Sequence, residues 1–83
     1  MLSNEAKTVA ARAKKMYAAR WREALEREHL GEYVCIEPES GEFFVGSTFD
    51  EAVNQAIDAY PHRLTHTIRV GHTAALHLGV VIQ

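Results

Sequence analysis

Residues 31–60, GEYVCIEPESGEFFVGSTFDEAVNQAIDAY, constrain the fold more than any other stretch, because they read as strand, tight turn, strand and capped helix in succession. Tyr33–Glu37 and Glu42–Gly46 are rich in aromatic and β-branched residues. Between them, Pro38, Glu39, Ser40 and Gly41 give a proline suited to the second position of a turn and a glycine at its exit. The pattern predicts a β-hairpin. Alternation places Tyr33, Cys35, Phe43 and Val45 on one side and Val34, Ile36 and Phe44 on the other, so both faces are apolar. Either helices cover both faces, or one face is an interface.

Thr48 and Glu51 follow with the spacing of a capping box, in which each side chain satisfies the other residue's free backbone N–H at a helix start. Asp50 and Glu51 suit the positive end of the helix dipole. Phe49, Ala52, Val53, Ala56, Ile57 and Tyr60 form the stripe expected to be buried, and Pro61 stops the helix. Residues 64–70 alternate, with Leu64, His66, Ile68 and Val70 on one face and Thr65, Thr67 and Arg69 on the other, which predicts a third strand ended by Gly71. Residues 72–78 read as a helical turn or an irregular segment. Residues 79–82 are apolar and β-prone, suited to pairing within the sheet or with a neighbouring chain.

Ahead of the hairpin, residues 3–29 have the composition of one long helix, rich in Ala, Arg, Lys and Glu and free of Gly and Pro. Ser3 or Asn4 can cap it, and Gly31 sits where a stop is expected. Val9, Ala13, Met16, Tyr17, Trp21, Ala24 and Leu25 mark one apolar stripe. At a length of roughly 40 Å, such a helix outreaches the rest of the domain, so part of it is expected to project or to pack on something else.

A chain of 83 residues is one domain of thin stability margin, since a domain of this size buries only about 60% of its unfolded surface, and self-association is a common remedy. No apolar run approaches the roughly 18 residues that span a bilayer, and MLSNEAK lacks a secretory signal pattern, so a cytoplasmic location is expected. The lone Cys35 agrees with a reducing compartment. Net charge is −2 but unevenly spread. Residues 1–22 hold six basic residues against Glu5, whereas residues 23–58 hold ten acids against Arg27. The basic helix therefore meets an acidic surface of its own fold or of a second copy, or solvent, or nucleic acid; a pI of about 6.2 argues against the last.

Chemical motifs are sparse. His62, His66, His72 and His77 have neither the helical spacing nor the companion cysteines of a zinc site, so no metal is expected. His66 reads as a hydrogen-bonded core or interface histidine. Cys35 lies in an apolar strand flanked by acids and reads as packing rather than as a nucleophile. Glu37, Glu39 and Glu42 crowd the turn and read as solvated charges rather than as an acid–base pair. No phosphate-cradling glycine pattern is present. Trp21 and Tyr17, among arginines, could stack on bases but at helical spacing read as packing residues.

Gly31, Tyr33, Val34, Ile36, Glu37, Pro38, Gly41, Phe43, Val45, Gly46, Thr48, Glu51 and Ala52 match the core G-x-[FY]-V-A-I-[DE]-P-x-[ST]-G-x-[FY]-x-V-G-x-T-x-x-E-A. The chain thus resembles small bacterial proteins of unknown function that share that core, and Arg69, Val70 and Gly71 with Ala74 and Ala75 resemble their ending. More distantly it is similar to the HicB-type antitoxin core. The likeness covers residues 31–79 and implies a non-catalytic protein that docks on a small toxin. No ribbon-helix-helix or helix-turn-helix segment follows the core, so DNA binding of the antitoxin kind is not expected.

Together these observations predict a single α+β domain over residues 1–83, with an N-terminal helix (1–30) and a ββαβ core (31–83), in α-β-β-α-β order around a small antiparallel sheet. No catalytic residue and no cofactor are expected. The predicted activity is protein interaction, with a homo-oligomer, a dimer first, as the favoured assembly and Tyr17, Trp21, Tyr33, Phe43 and Val45 as interface candidates. A nucleic-acid module built on the basic helix is the second alternative, and an enzyme or metal site on the C-terminal histidines the third.

Overall fold

The computed structural model of the chain describes residues 4–71. It is an α+β fold: α1 (Asn4–Met16), a π-helical turn (Tyr17–Trp21), α2 (Arg22–Glu28), β1 (Tyr33–Glu37), β2 (Glu42–Gly46), α3 (Phe49–Ala59) and β3 (His66–Arg69). The sheet is antiparallel in the order β2-β1-β3, so β1 is its central strand. The segments 72–78 and 79–82 lie outside the described residues.

Helices cover both sheet faces. On one, Ala13, Tyr17 and Leu25 of the N-terminal helical run form a buried cluster with Val34, Ile36, Ile68 and Val70, and Trp21 and Val45 close its margin. On the other, Ala52 and Ala56 of α3 bury Cys35, with Tyr33, Phe44 and Val53 packed around them. What meets the second face is therefore the first helix rather than a second molecule.

The hairpin faces differ from the alternation expected across the two strands. Val34 lies opposite Val45, Cys35 opposite Phe44 and Ile36 opposite Phe43. Directly paired residues share a face, so Phe43 and Val45 join Val34 and Ile36 on the side of the N-terminal helix, where Phe43 stays 37% exposed at the margin, and Phe44 joins Tyr33 and Cys35 under α3. The cause is the four-residue turn, which sets Glu37 opposite Glu42 and so pairs odd with even positions. In β3 the expected alternation holds: His66 and Ile68 sit opposite Ile36 and Val34, and Thr67 opposite Cys35. The strand is shorter than residues 64–70, and Leu64 is exposed.

The first helix is not one uninterrupted α-helix. Its inward residues Val9, Ala13, Tyr17, Trp21 and Leu25 recur every four positions, and at 3.6 residues per turn that spacing drifts by about 40° per step, or about 160° in total. The π turn at Tyr17–Trp21 inserts extra chain at mid-helix, recovering about 100°. Leu25 thereby returns to the core, where it is buried. The run ends at His29, whose N–H bonds to the Leu25 carbonyl, and Gly31 then takes the left-handed conformation (φ 86°).

At α3 the Thr48 hydroxyl accepts from the Glu51 N–H at 3.1 Å, as the capping box requires. The Glu51 carboxylate reaches one residue further back than expected and accepts from the Ser47 N–H. Gly46 is needed directly beneath: a Cβ there would lie 2.6 Å from the Ala52 backbone nitrogen. The absence of a side chain lets the first turn of α3 press onto the end of β2.

Candidate interaction surfaces

Besides the exposed Leu30 and Phe43, three regions of the described surface carry groups of side chains that the core does not absorb. The first lies at the hairpin turn. Glu37 is 1% exposed, contrary to the solvated turn charge expected of it, whereas Glu39 and Glu42 are exposed. One Glu37 oxygen accepts from the Ser40 N–H at 2.7 Å and from Arg63 at 3.1 Å; the other accepts from the Glu39 N–H at 2.9 Å. Burial pushes its carboxyl upward, but the Ser40 and Glu39 hydrogen bonds and the Arg63 charge outweigh burial and hold it below the ordinary carboxylate range. Arg63 also pairs with Glu39 at 3.2 Å and lies over the Tyr60 ring. Glu37 thus ties the turn to the segment after α3. A cleft of about 380 Å³ opens beside this anchor, between the start of α1 and the turn, with Arg12, His62 and Leu64 among its walls.

The second region is the outer face of α1. Lys7, Arg12, Lys14, Lys15 and Arg20 are exposed, and none of them makes an ion pair among the described residues. Arg12 donates to the Pro38 carbonyl at 3.4 Å. A groove of about 500 Å³ between Arg12, Lys15, Met16 and Arg20 on one side and Pro38, Glu39, Ser40 and Gly41 on the other continues along the helix. The exposed acids Asp50, Glu51 and Asp58 belong to α3, across the sheet. The basic helix therefore faces Glu39 at the hairpin turn along one shoulder rather than the acids of α3.

The third region is a flank of α3. Gln55 donates to the Val45 carbonyl at 2.7 Å, which fixes one flank of the helix over β2. The opposite flank carries Phe49, Val53 and Ile57, one turn apart. Phe49 and Ile57 were expected to be buried but are 52% and 51% exposed. Ala52 and Ala56 take the contact with the sheet instead, and their small side chains seat the helix on a narrow ridge that leaves the larger neighbours beside it. The Phe49 ring meets Tyr33 edge-on at 6.2 Å between centroids, and the Arg69 guanidinium covers Tyr33. The result is a continuous apolar strip bordered by Arg69.

Among the interface candidates, Tyr17 is buried in the chain's own core. Trp21 packs on Phe43 with ring centroids 4.7 Å apart, and Val45 lines the same cluster. Only Tyr33 adjoins the α3 strip, so the sequence reading missed Phe49, Val53 and Ile57. The signal was present: a six-residue stripe is too wide for a helix that meets the sheet through two alanines. His66 is half-buried, lowered in pKa by burial and by Lys14, and makes no side-chain hydrogen bond among the described residues. His62 is exposed in the cleft wall, and His72 and His77 lie outside the described residues. Among the described residues, no three His, Cys, Asp or Glu side chains converge as a metal set. Cys35 is fully buried.

No described helix is long and apolar enough to cross a membrane. No family model, curated protein or solved structure matches the chain.

Proposed function

We propose that this chain is a small non-enzymatic protein-interaction module that self-associates, as a dimer first, through the apolar flank of α3. The observation that carries the proposal is the exposure of Phe49 and Ile57 beside half-buried Val53 and Tyr33. Contiguous apolar side chains of this kind mark contact surfaces, and the Phe49–Tyr33 pair at one end of the strip supplies aromatic side chains of the sort that anchor such contacts. Antitoxin-like capture of a small protein partner, suggested by the likeness of residues 31–79 to the HicB-type core, is the sharpest form of the proposal.

Sedimentation velocity over a dilution series tests it. The wild-type chain is expected to sediment as a dimer that dissociates on dilution, and Ile57→Lys as a monomer with unchanged circular dichroism. A wild-type monomer at every concentration, or an Ile57→Lys variant that dimerises as well as the wild type, would refute it.

A further inference from the structure

We propose that the outer face of α1 binds the phosphate backbone of double-stranded DNA without reading its sequence, a role independent of the α3 flank. Lys7, Arg12, Lys14, Lys15 and Arg20 are spread along roughly 20 Å of helix, all exposed and none ion-paired among the described residues. They occupy both shoulders and the crest. Lys14 stands near His66 of β3, Arg12 and Arg20 stand against the hairpin turn on the other side, and Lys15 lies between them. Ala11, Ala18, Ala19 and Thr8 are exposed among these cations, and such short side chains allow close approach.

The chemistry of this face selects among polyanions. An acidic protein would need an apolar or aromatic anchor at the centre of the contact. The outer face has no aromatic one, because Tyr17 is buried and Trp21 is packed on Phe43, and its one larger apolar side chain, Met16, is half-buried at the groove edge. The same two facts remove the aromatic platform on which single-stranded bases stack. Phosphate contacts need only cations at the right reach. A helix about 10–12 Å across fits the major groove of B-form DNA, about 12 Å wide, and not the narrow major groove of A-form RNA. Between Lys7 and Arg20 there is no Asn or Gln to pair with adenine, and lysine and arginine give most of their DNA contacts to phosphates.

Fluorescence anisotropy of a labelled duplex DNA of random sequence, titrated with the full chain at several salt concentrations, tests the assignment. With Arg12 engaged by the Pro38 carbonyl, phosphate contacts from the other four cations predict a log–log salt slope near −3.6 and roughly 150-fold weaker binding between about 50 and about 200 mM salt. Lys14→Glu with Lys15→Glu should weaken binding at least about tenfold and flatten the slope by roughly two. Lys7→Gln with Arg20→Gln, which leaves helix propensity intact, should flatten it equally. Ile57→Lys, checked in parallel, should leave the slope unchanged even where it abolishes dimerisation. The proposal is overturned by no anisotropy change at low salt, by binding that the α1 variants leave unaltered, or by tighter binding of polyglutamate, single-stranded DNA or duplex RNA.

Discussion

Replacing Glu37 with Gln preserves the shape of a side chain that is 1% exposed and removes only its charge and one acceptor. In the native turn two backbone N–H groups, from Glu39 and Ser40, point at different oxygens of the carboxylate. A glutamine offers an oxygen to one and an NH₂ group to the other. One charge-assisted bond, worth roughly 1.5–3 kcal/mol, is lost, and a part-buried backbone N–H is left facing a donor. The Arg63 pair adds less than about 1 kcal/mol because its guanidinium is 41% exposed. The expected cost is therefore about 2–4 kcal/mol, and for a domain this small roughly 10–25 °C in Tm. Arg63→Gln should cost under about 1 kcal/mol. Urea denaturation followed by circular dichroism measures both. The pH dependence carries the same signature, since a carboxyl held low when folded stabilises above its unfolded value of about 4.5 and loses that contribution as pH falls through the folded value. Wild-type stability should consequently fall more steeply than that of Glu37→Gln below about pH 4.5. A Glu37→Gln variant within about 0.5 kcal/mol of wild type, or an Arg63→Gln variant equally damaged, would refute the assigned role.

Thr48→Ala removes the hydroxyl that accepts from Glu51 N–H and should cost about 1 kcal/mol in thermal unfolding. Gly46→Ala drives a Cβ against the Ala52 backbone, which cannot yield as a side chain would, and should cost about 1–3 kcal/mol in the same assay. Trp21→Ala takes the ring off Phe43 and opens the core margin at the π turn, with an expected loss of about 3 kcal/mol and increased exposure of the Phe43 side of the sheet to a hydrophobic dye.

The hairpin, the cap of α3 and the alternation of His66, Ile68 and Val70 were legible in the sequence because each rests on local chemistry: turn residues, a hydroxyl three residues before a carboxylate, and the two-residue period of a strand. The pairing of Val34 with Val45 was less legible, since it depends on how many residues the turn consumes. The π turn follows from a strict spacing of four along Val9, Ala13, Tyr17, Trp21 and Leu25, a period that counts as helical in any short window and shows its drift only over the whole run. Glu37 was misplaced because acids at turns are usually wet. Two backbone donors and a distant arginine override that tendency only once the chain has folded. Phe49 and Ile57 illustrate the opposite error, where a good helical stripe exceeds the width of the surface available to bury it.

Amide hydrogen exchange, compared between submicromolar and submillimolar protein, locates the self-contact without any substitution. Added protection confined to α3 and the neighbourhood of Tyr33 is the predicted result. Exchange that is independent of concentration, or protection that appears along α1 while α3 is unaffected, would contradict the assignment of the apolar α3 flank as the surface through which this chain associates.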